Sequence, residues 1–170
     1  KLAIIEDSCE TMFVHHDNGK PVGSMGDIAC YSSYLAHIIS TGVGGFLCTN
    51  NKKWTDDMRS MIWHGRDNYY LSIDDNAKNK KKLLKTRFRF NRIGYSARLT
   101  ELEAAIGIDE VQRNNKIIEQ RTINAALLFE YFTPFVDYVE LPFLYGENAW
   151  MFFAIVCRQN VNRDNLSLFL

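Results

Sequence analysis

The side chains of this sequence best placed for chemistry cluster early in the chain. Asp7 follows the apolar run Leu2, Ala3, Ile4, Ile5, so its carboxylate stands at a strand end in a partly dry place, where it needs a cationic partner. A helix cap or a loop ion pair would use an aspartate there equally well. Ser32, Ser33, Tyr34, Leu35, Ala36 and His37 close a second strand and set hydroxyls beside an imidazole, the side chain whose charge changes around neutrality. A lone histidine beside a turn can also be purely structural. Gly42, Val43, Gly44 and Gly45 permit close backbone approach, although a glycine-rich hairpin with no ligand has the same composition. Cys9, Cys30, Cys48 and Cys157 are scattered, with no CxxC pair and no clustered histidine. They read as buried thiols of a cytoplasmic protein rather than as a metal site or a disulfide framework.

The elements that must position these groups can be read from the pattern of apolar residues. A first strand ends at Glu6 and Asp7, a second covers 27–32, and a third covers 46–49 after the glycines. Residues 54–63 form a helix with Trp54, Met58, Met61 and Ile62 on one face. Thr100 and Glu103 form a capping box that opens a further helix, with Gly107 as its weak point. A separate helix is expected over 115–132, stopped by Pro134. The apolar segment 150–157 reads as a strand buried on both faces. Strands alternating with helices give an α/β class, an α/β/α sandwich with a mostly parallel sheet, whose ligands bind at the carboxyl ends of strands.

Composition excludes several functions. Twenty basic residues balance twenty acidic ones, so no global attraction to nucleic acid or anionic membrane exists. With 46% apolar, 13% aromatic and 24% charged residues the chain is an ordinary globular one. No apolar run reaches the roughly 18–20 residues of a membrane span. The basic stretch Lys78, Lys80, Lys81, Lys82, Lys85, Arg87, Arg89 and Arg92 reads as a solvated loop, or as a contact for a nucleotide diphosphate or a partner subunit. His15 and His16 read as surface residues of a hairpin. The chain starts at Lys1 inside one apolar element and stops at Leu170 inside another, as expected for a piece of a larger protein.

The ordered runs IIEDSCE, GKPVGSMGDIACYSSYLAH, GVGGFLCTN, RSMIWHGRD, RIGYSARLTELEAAIGIDEVQ and EQR resemble the DegT-type sugar aminotransferases over nearly the whole chain. That family consists of pyridoxal-phosphate enzymes with the aspartate-aminotransferase type fold, acting on nucleotide-linked keto sugars. The resemblance implies that residues 1–135 are part of the cofactor-binding large domain and that 136–170 begin an incomplete C-terminal small domain. The upstream loop that cups the cofactor phosphate would be absent.

By this resemblance Asp7 pairs with the cofactor's pyridine nitrogen and Glu10 stands near its ring hydroxyl. Ser32 binds the phosphate, Ser96 replaces a phosphate-binding asparagine with shorter reach, and Arg98 reaches toward the neighbouring subunit's site. Val43 removes a carboxylate that the family usually carries. The main departure is His37, which stands where these aminotransferases have their Schiff-base lysine; no lysine lies between Lys20 and Lys52. Imidazole is not a primary amine and keeps only the proton-transfer half of the lysine's work. The same swap marks a branch of the family, the 4-keto-6-deoxy sugar 3-dehydratases, which use pyridoxamine phosphate. The resemblance therefore implies PLP or PMP as cofactor, a nucleotide-linked keto sugar as substrate, no metal, a cytoplasmic homodimer, and His37 as base. An aminotransferase-family member with altered or lost transamination, and a catalytically silent scaffold, are the alternatives.

Overall fold

The computed structural model describes residues 2–66 and 88–170. Along the chain lie β1 (Ile5–Asp7), β2 (Ile28–Ser32), β3 (Gly45–Cys48), α1 (Lys52–Ile62), α2 (Glu101–Phe132), a 3-10 turn (Thr133–Phe135), β4 (Val139–Glu140), β5 (Val156–Cys157) and α3 (Arg163–Phe169). β1 and β2 run parallel with Ile5 opposite Ile28 and Asp7 opposite Cys30, whereas β3 joins β2 antiparallel. β4 and β5 form a separate antiparallel pair. The sheet expected to be mostly parallel is thus mixed among the described residues, with residues 33–44 forming the loop that brings β3 back antiparallel to β2.

Local chemistry accounts for the helix starts. Asn51 caps α1 by accepting from the Trp54 amide at 3.3 Å, so the helix begins at Lys52, ahead of the expected 54. At the start of α2 the Thr100 amide donates to Glu103 at 2.8 Å, and the capping box forms as expected. The two helices expected around Gly107 are one continuous helix of 32 residues. Gly107 does not interrupt it because its bare backbone serves packing: a Cβ there would lie 3.1 Å from the Thr41 methyl. The helix ends at Phe132, and Pro134 lies in the 3-10 turn that follows.

Two expectations of burial are corrected. Leu2, Ile4 and Ile5 are exposed, since no described segment covers the outer face of β1. Within 150–157 only Val156–Cys157 is strand, and Phe152 and Val156 are exposed. Trp150 breaks the extended run with a φ of 50°, so its apolar side chains gather by ring packing instead; the Phe129 and Phe153 centroids lie 4.9 Å apart. The densest core joins Met12, Val14, Ile38, Ile39 and Ala149. Its members come from the hairpin after β1, the loop after β2, and the segment before β5. No helix among the described residues is long and apolar enough to cross a membrane.

Candidate functional site

Asp7 and Ser32 end neighbouring parallel strands, so both present polar groups at the same carboxyl edge of the sheet. The exposed Asp7 carboxylate accepts the Cys9 amide at 3.1 Å. Hydrogen bonds from the Cys9 thiol and amide hold the Asp7 carboxyl below its usual range. The thiol is pushed up to about 11 by its bond to Asp7 and then by burial, which keeps it protonated and unreactive at neutral pH. Asp7 is therefore a fixed anion, suited to a protonated ring nitrogen. Glu10 follows in the turn after β1 and is exposed.

The segment after Ser32 is a closed loop. The Ser33 and Thr41 hydroxyls meet at 2.7 Å, both fully buried, and the Thr41 amide donates to the Ser33 carbonyl at 2.9 Å. The Ser33 amide in turn donates to the Gly44 carbonyl at 3.0 Å. Gly44 has a φ of 138°, and a Cβ there would sit 2.7 Å from a Leu99 methyl. Only glycine fits that approach.

His37 stands between these pinned ends, its amide donating to the Tyr34 carbonyl at 2.9 Å. The half-buried imidazole meets the Tyr34 ring edge-on with centroids 6.1 Å apart. Its Nδ1 is enclosed with no hydrogen-bond partner among the described residues. The Ser32 hydroxyl oxygen accepts the Tyr34 amide at 3.3 Å, leaving its proton free to donate. A carboxylate, a free hydroxyl donor and an unpartnered imidazole nitrogen fit the donor set that a pyridoxal-type cofactor requires.

Ser96 and Arg98 belong to a second unit. Ser96 bridges Trp63, and the Arg98 guanidinium lies 4.5 Å over the Trp63 ring. This unit is compact because two glycines cross: a Cβ on Gly94 would lie 2.0 Å from the Gly65 nitrogen. Leu99, packed on Gly44, is the link from this segment to the His37 loop. Asp7, Ser32 and His37 thus share one end of the sheet, while Leu99, the residue after Arg98, packs against the loop at Gly44. Of the basic stretch, Lys78 to Arg87 lie outside the described residues; Arg92 pairs with Asp57.

The histidines read as surface residues have partners. His15 Nδ1 lies 3.0 Å from Glu147, and His16 Nε2 lies 3.4 Å from Glu6. Sequence reasoning also left Glu6 without a role. Its carboxylate accepts the amides of Gly23, Met25 and Gly26, ordering the turn that leads into β2. Burial works against its ionisation, but these amides and His16 outweigh burial and hold the carboxyl below its usual range. A carboxylate beside a glycine-rich turn was the available signal. No group of three or more potential metal ligands occurs among the described residues.

The model of the DegT/DnrJ/EryC1/StrS aminotransferase family matches residues 1–170, and the chain belongs to that family. It is 29% identical over 182 residues to the lipopolysaccharide biosynthesis protein RfbH of Salmonella typhimurium, covering 99% of this chain and 41% of that protein. It is 29% identical over 161 residues to GDP-4-keto-6-deoxy-D-mannose 3-dehydratase of Yersinia pseudotuberculosis, covering 94% and 40%. Among solved structures, the E. coli GDP-4-keto-6-deoxy-D-mannose-3-dehydratase with bound hydrated PLP superposes with a TM-score of 0.81 at 25% identity, covering 98% of this chain and 43% of that one. The fold is that of the fold type I PLP-dependent enzymes. The chain spans about two fifths of the length of these relatives.

Proposed function

We propose that this chain carries the base-bearing half of a PLP- or PMP-dependent enzyme of nucleotide-sugar biosynthesis, with His37 as base in place of a lysine and a dehydratase-like reaction. The observation that carries the reading is the loop itself. His37 is held five residues beyond Ser32, next to a strand that ends in a permanently ionised Asp7. When bound, the cofactor supplies an electron sink. Asp7 would hold the positive charge of the ring nitrogen, with Glu10 beside the ring. The Ser32 hydroxyl would donate to the phosphate, joined by the shorter-reaching Ser96, and Arg98 would serve the neighbouring subunit's site. His37 would accept the proton whose removal sends an electron pair toward C3, and its imidazolium would then donate that proton to the departing C3 hydroxyl, which leaves as water.

The substrate class we infer is a nucleotide-linked keto sugar, since two of the relatives above are dehydratases of such a compound. We assign residues 1–135 to the large domain and 136–170 to the beginning of the small one, the boundary lying where α2 and its 3-10 turn end. Assembly as a cytoplasmic homodimer is part of the same reading. The test is substrate-dependent loss of the sugar's C3 hydroxyl in the intact protein, abolished by His37→Asn. Borohydride reduction followed by mass spectrometry should find no cofactor attached at residue 37. Retention of full activity in His37→Asn would overturn the reading. Tight pyridoxamine phosphate binding that is lost in Asp7→Asn would exclude a silent scaffold.

A further inference from the structure

The EQR run has so far no role, although its arginine is the most heavily engaged cation near the loop. Half-buried Arg121 projects from α2 and donates from Nη1 to the carbonyls of Trp150 at 2.9 Å and Met151 at 3.1 Å. Its Nη2 lies 3.5 Å from the carbonyl of His37. One planar fork thereby joins three carbonyls from two segments that are remote in sequence from α2 and from each other. All three partners are neutral, so the guanidinium acts through geometry.

The geometry points to Arg121 as a positioning residue for His37, an inference that rests on the reading of His37 as the base. Among the described residues the imidazole lacks the bond that usually orients a working histidine, because its enclosed Nδ1 has no partner there. Its ring direction therefore follows from where the backbone is held. On one side the backbone is held by the Tyr34 carbonyl, and on the other by the Arg121 fork. The far end of the fork is anchored too. Trp150 is in the left-handed region with its amide tied to Asn148 at 2.7 Å, which turns its carbonyl toward Arg121. Ala149, one residue earlier, is fully buried in the same apolar cluster as Ile38 and Ile39. Lysine could supply the charge and donors from one nitrogen but not a planar fork whose two nitrogens reach separate segments.

Histidine-labelled protein provides a readout that does not depend on turnover. The NMR signals of the His37 ring are identified by their loss in His37→Asn, with His15, His16 and His64 as internal controls. In Arg121→Lys the His37 signals should shift or broaden while the three controls stay in place. In the intact enzyme the same variant should lose on the order of tenfold to a hundredfold in kcat with KM unchanged, the scale of a small misplacement of a reacting group. Arg121→Met should move both readouts further in the same direction; if it fails to fold, Arg121→Lys decides. Unchanged His37 signals in Arg121→Lys would overturn the inference, as would equal movement of all four histidines. Selective movement of the His37 signals, together with full activity in His37→Asn, would leave the positioning role standing and reject His37 as base.

Discussion

The loop that carries His37 and the sheet that carries the loop have exchanged their customary places. Loops usually run over the surface and strands usually form the core. Here Ser33 is 0% and Ile38 2% exposed, whereas Ile4 is 59% and Ile5 64% exposed on β1. The difference shows that His37 is held by packing beneath its own loop, independently of how well the sheet faces are covered. Within the loop Ser33, Ile38, Ile39 and Thr41 are buried while Tyr34 and Leu35 are exposed, and in the sheet β2 is better covered than β1.

Four substitutions put that contrast at risk. Ile38→Ala removes a side chain from the centre of the core and should cost about 2–5 kcal/mol in denaturant unfolding. A cost below that range would mean that the loop is not the anchor. Ser33→Ala removes one bond of the buried Thr41 hydroxyl, which keeps the Val43 carbonyl at 2.9 Å, and should cost about 0.5–1.5 kcal/mol, with the loop opening before the rest of the fold in hydrogen exchange. Glu6→Gln weakens the amide cradle under β2 and should lower the melting temperature near neutrality by less than either loop variant. Its pH dependence is the sharper test. Because the folded Glu6 carboxyl lies below its ordinary value of 4.5, its stabilisation is fully present above that pH and is lost as pH falls through the folded value. The gap between wild type and Glu6→Gln should therefore close in acid; a gap that persists there would exclude the charge as its origin. Smallest of all, Ile5→Ala on the open strand face should stay within about 0.5 kcal/mol. If it instead matched Ile38→Ala, β1 would be covered and the contrast between loop and sheet would vanish.

What the sequence discloses follows from how local each determinant is. β2, β3, α1 and the Thr100–Glu103 cap are set by neighbouring residues, and all are legible. Asp7, Ser32 and His37 are legible through the order of motifs, and the strand pairing of Asp7 with Cys30 then puts the first two at one sheet end. The continuity of α2 is not legible, because Gly107 looks like a weak point until Thr41 is seen against it. Burial of the strand faces is misjudged for a similar reason: alternation of residues tells which side is apolar but not what covers it. Arg121 escapes because its partner His37 is 84 residues away, and a charged residue on a helix usually faces water. Val43 and Ser96 stand as departures from the family pattern, with nothing in the structure that explains them.

The unbroken α2 also limits how this protein can change over evolutionary time. The helix meets the loop at Gly107 against Thr41, at Glu110 beneath the Ser40 amide, and at Arg121 below His37. These three positions advance along α2 as the loop is read backwards. One residue inserted between Glu110 and Arg121 would turn everything beyond it by about 100° and slide it about 1.5 Å, carrying the fork off the loop. A helix broken at Gly107 could have absorbed such a length change near its start. An intact one has no slack, so descendants of this sequence can exchange the exposed side chains between Glu110 and Arg121, though not Ile118, which packs on the core, and cannot alter the number of residues there.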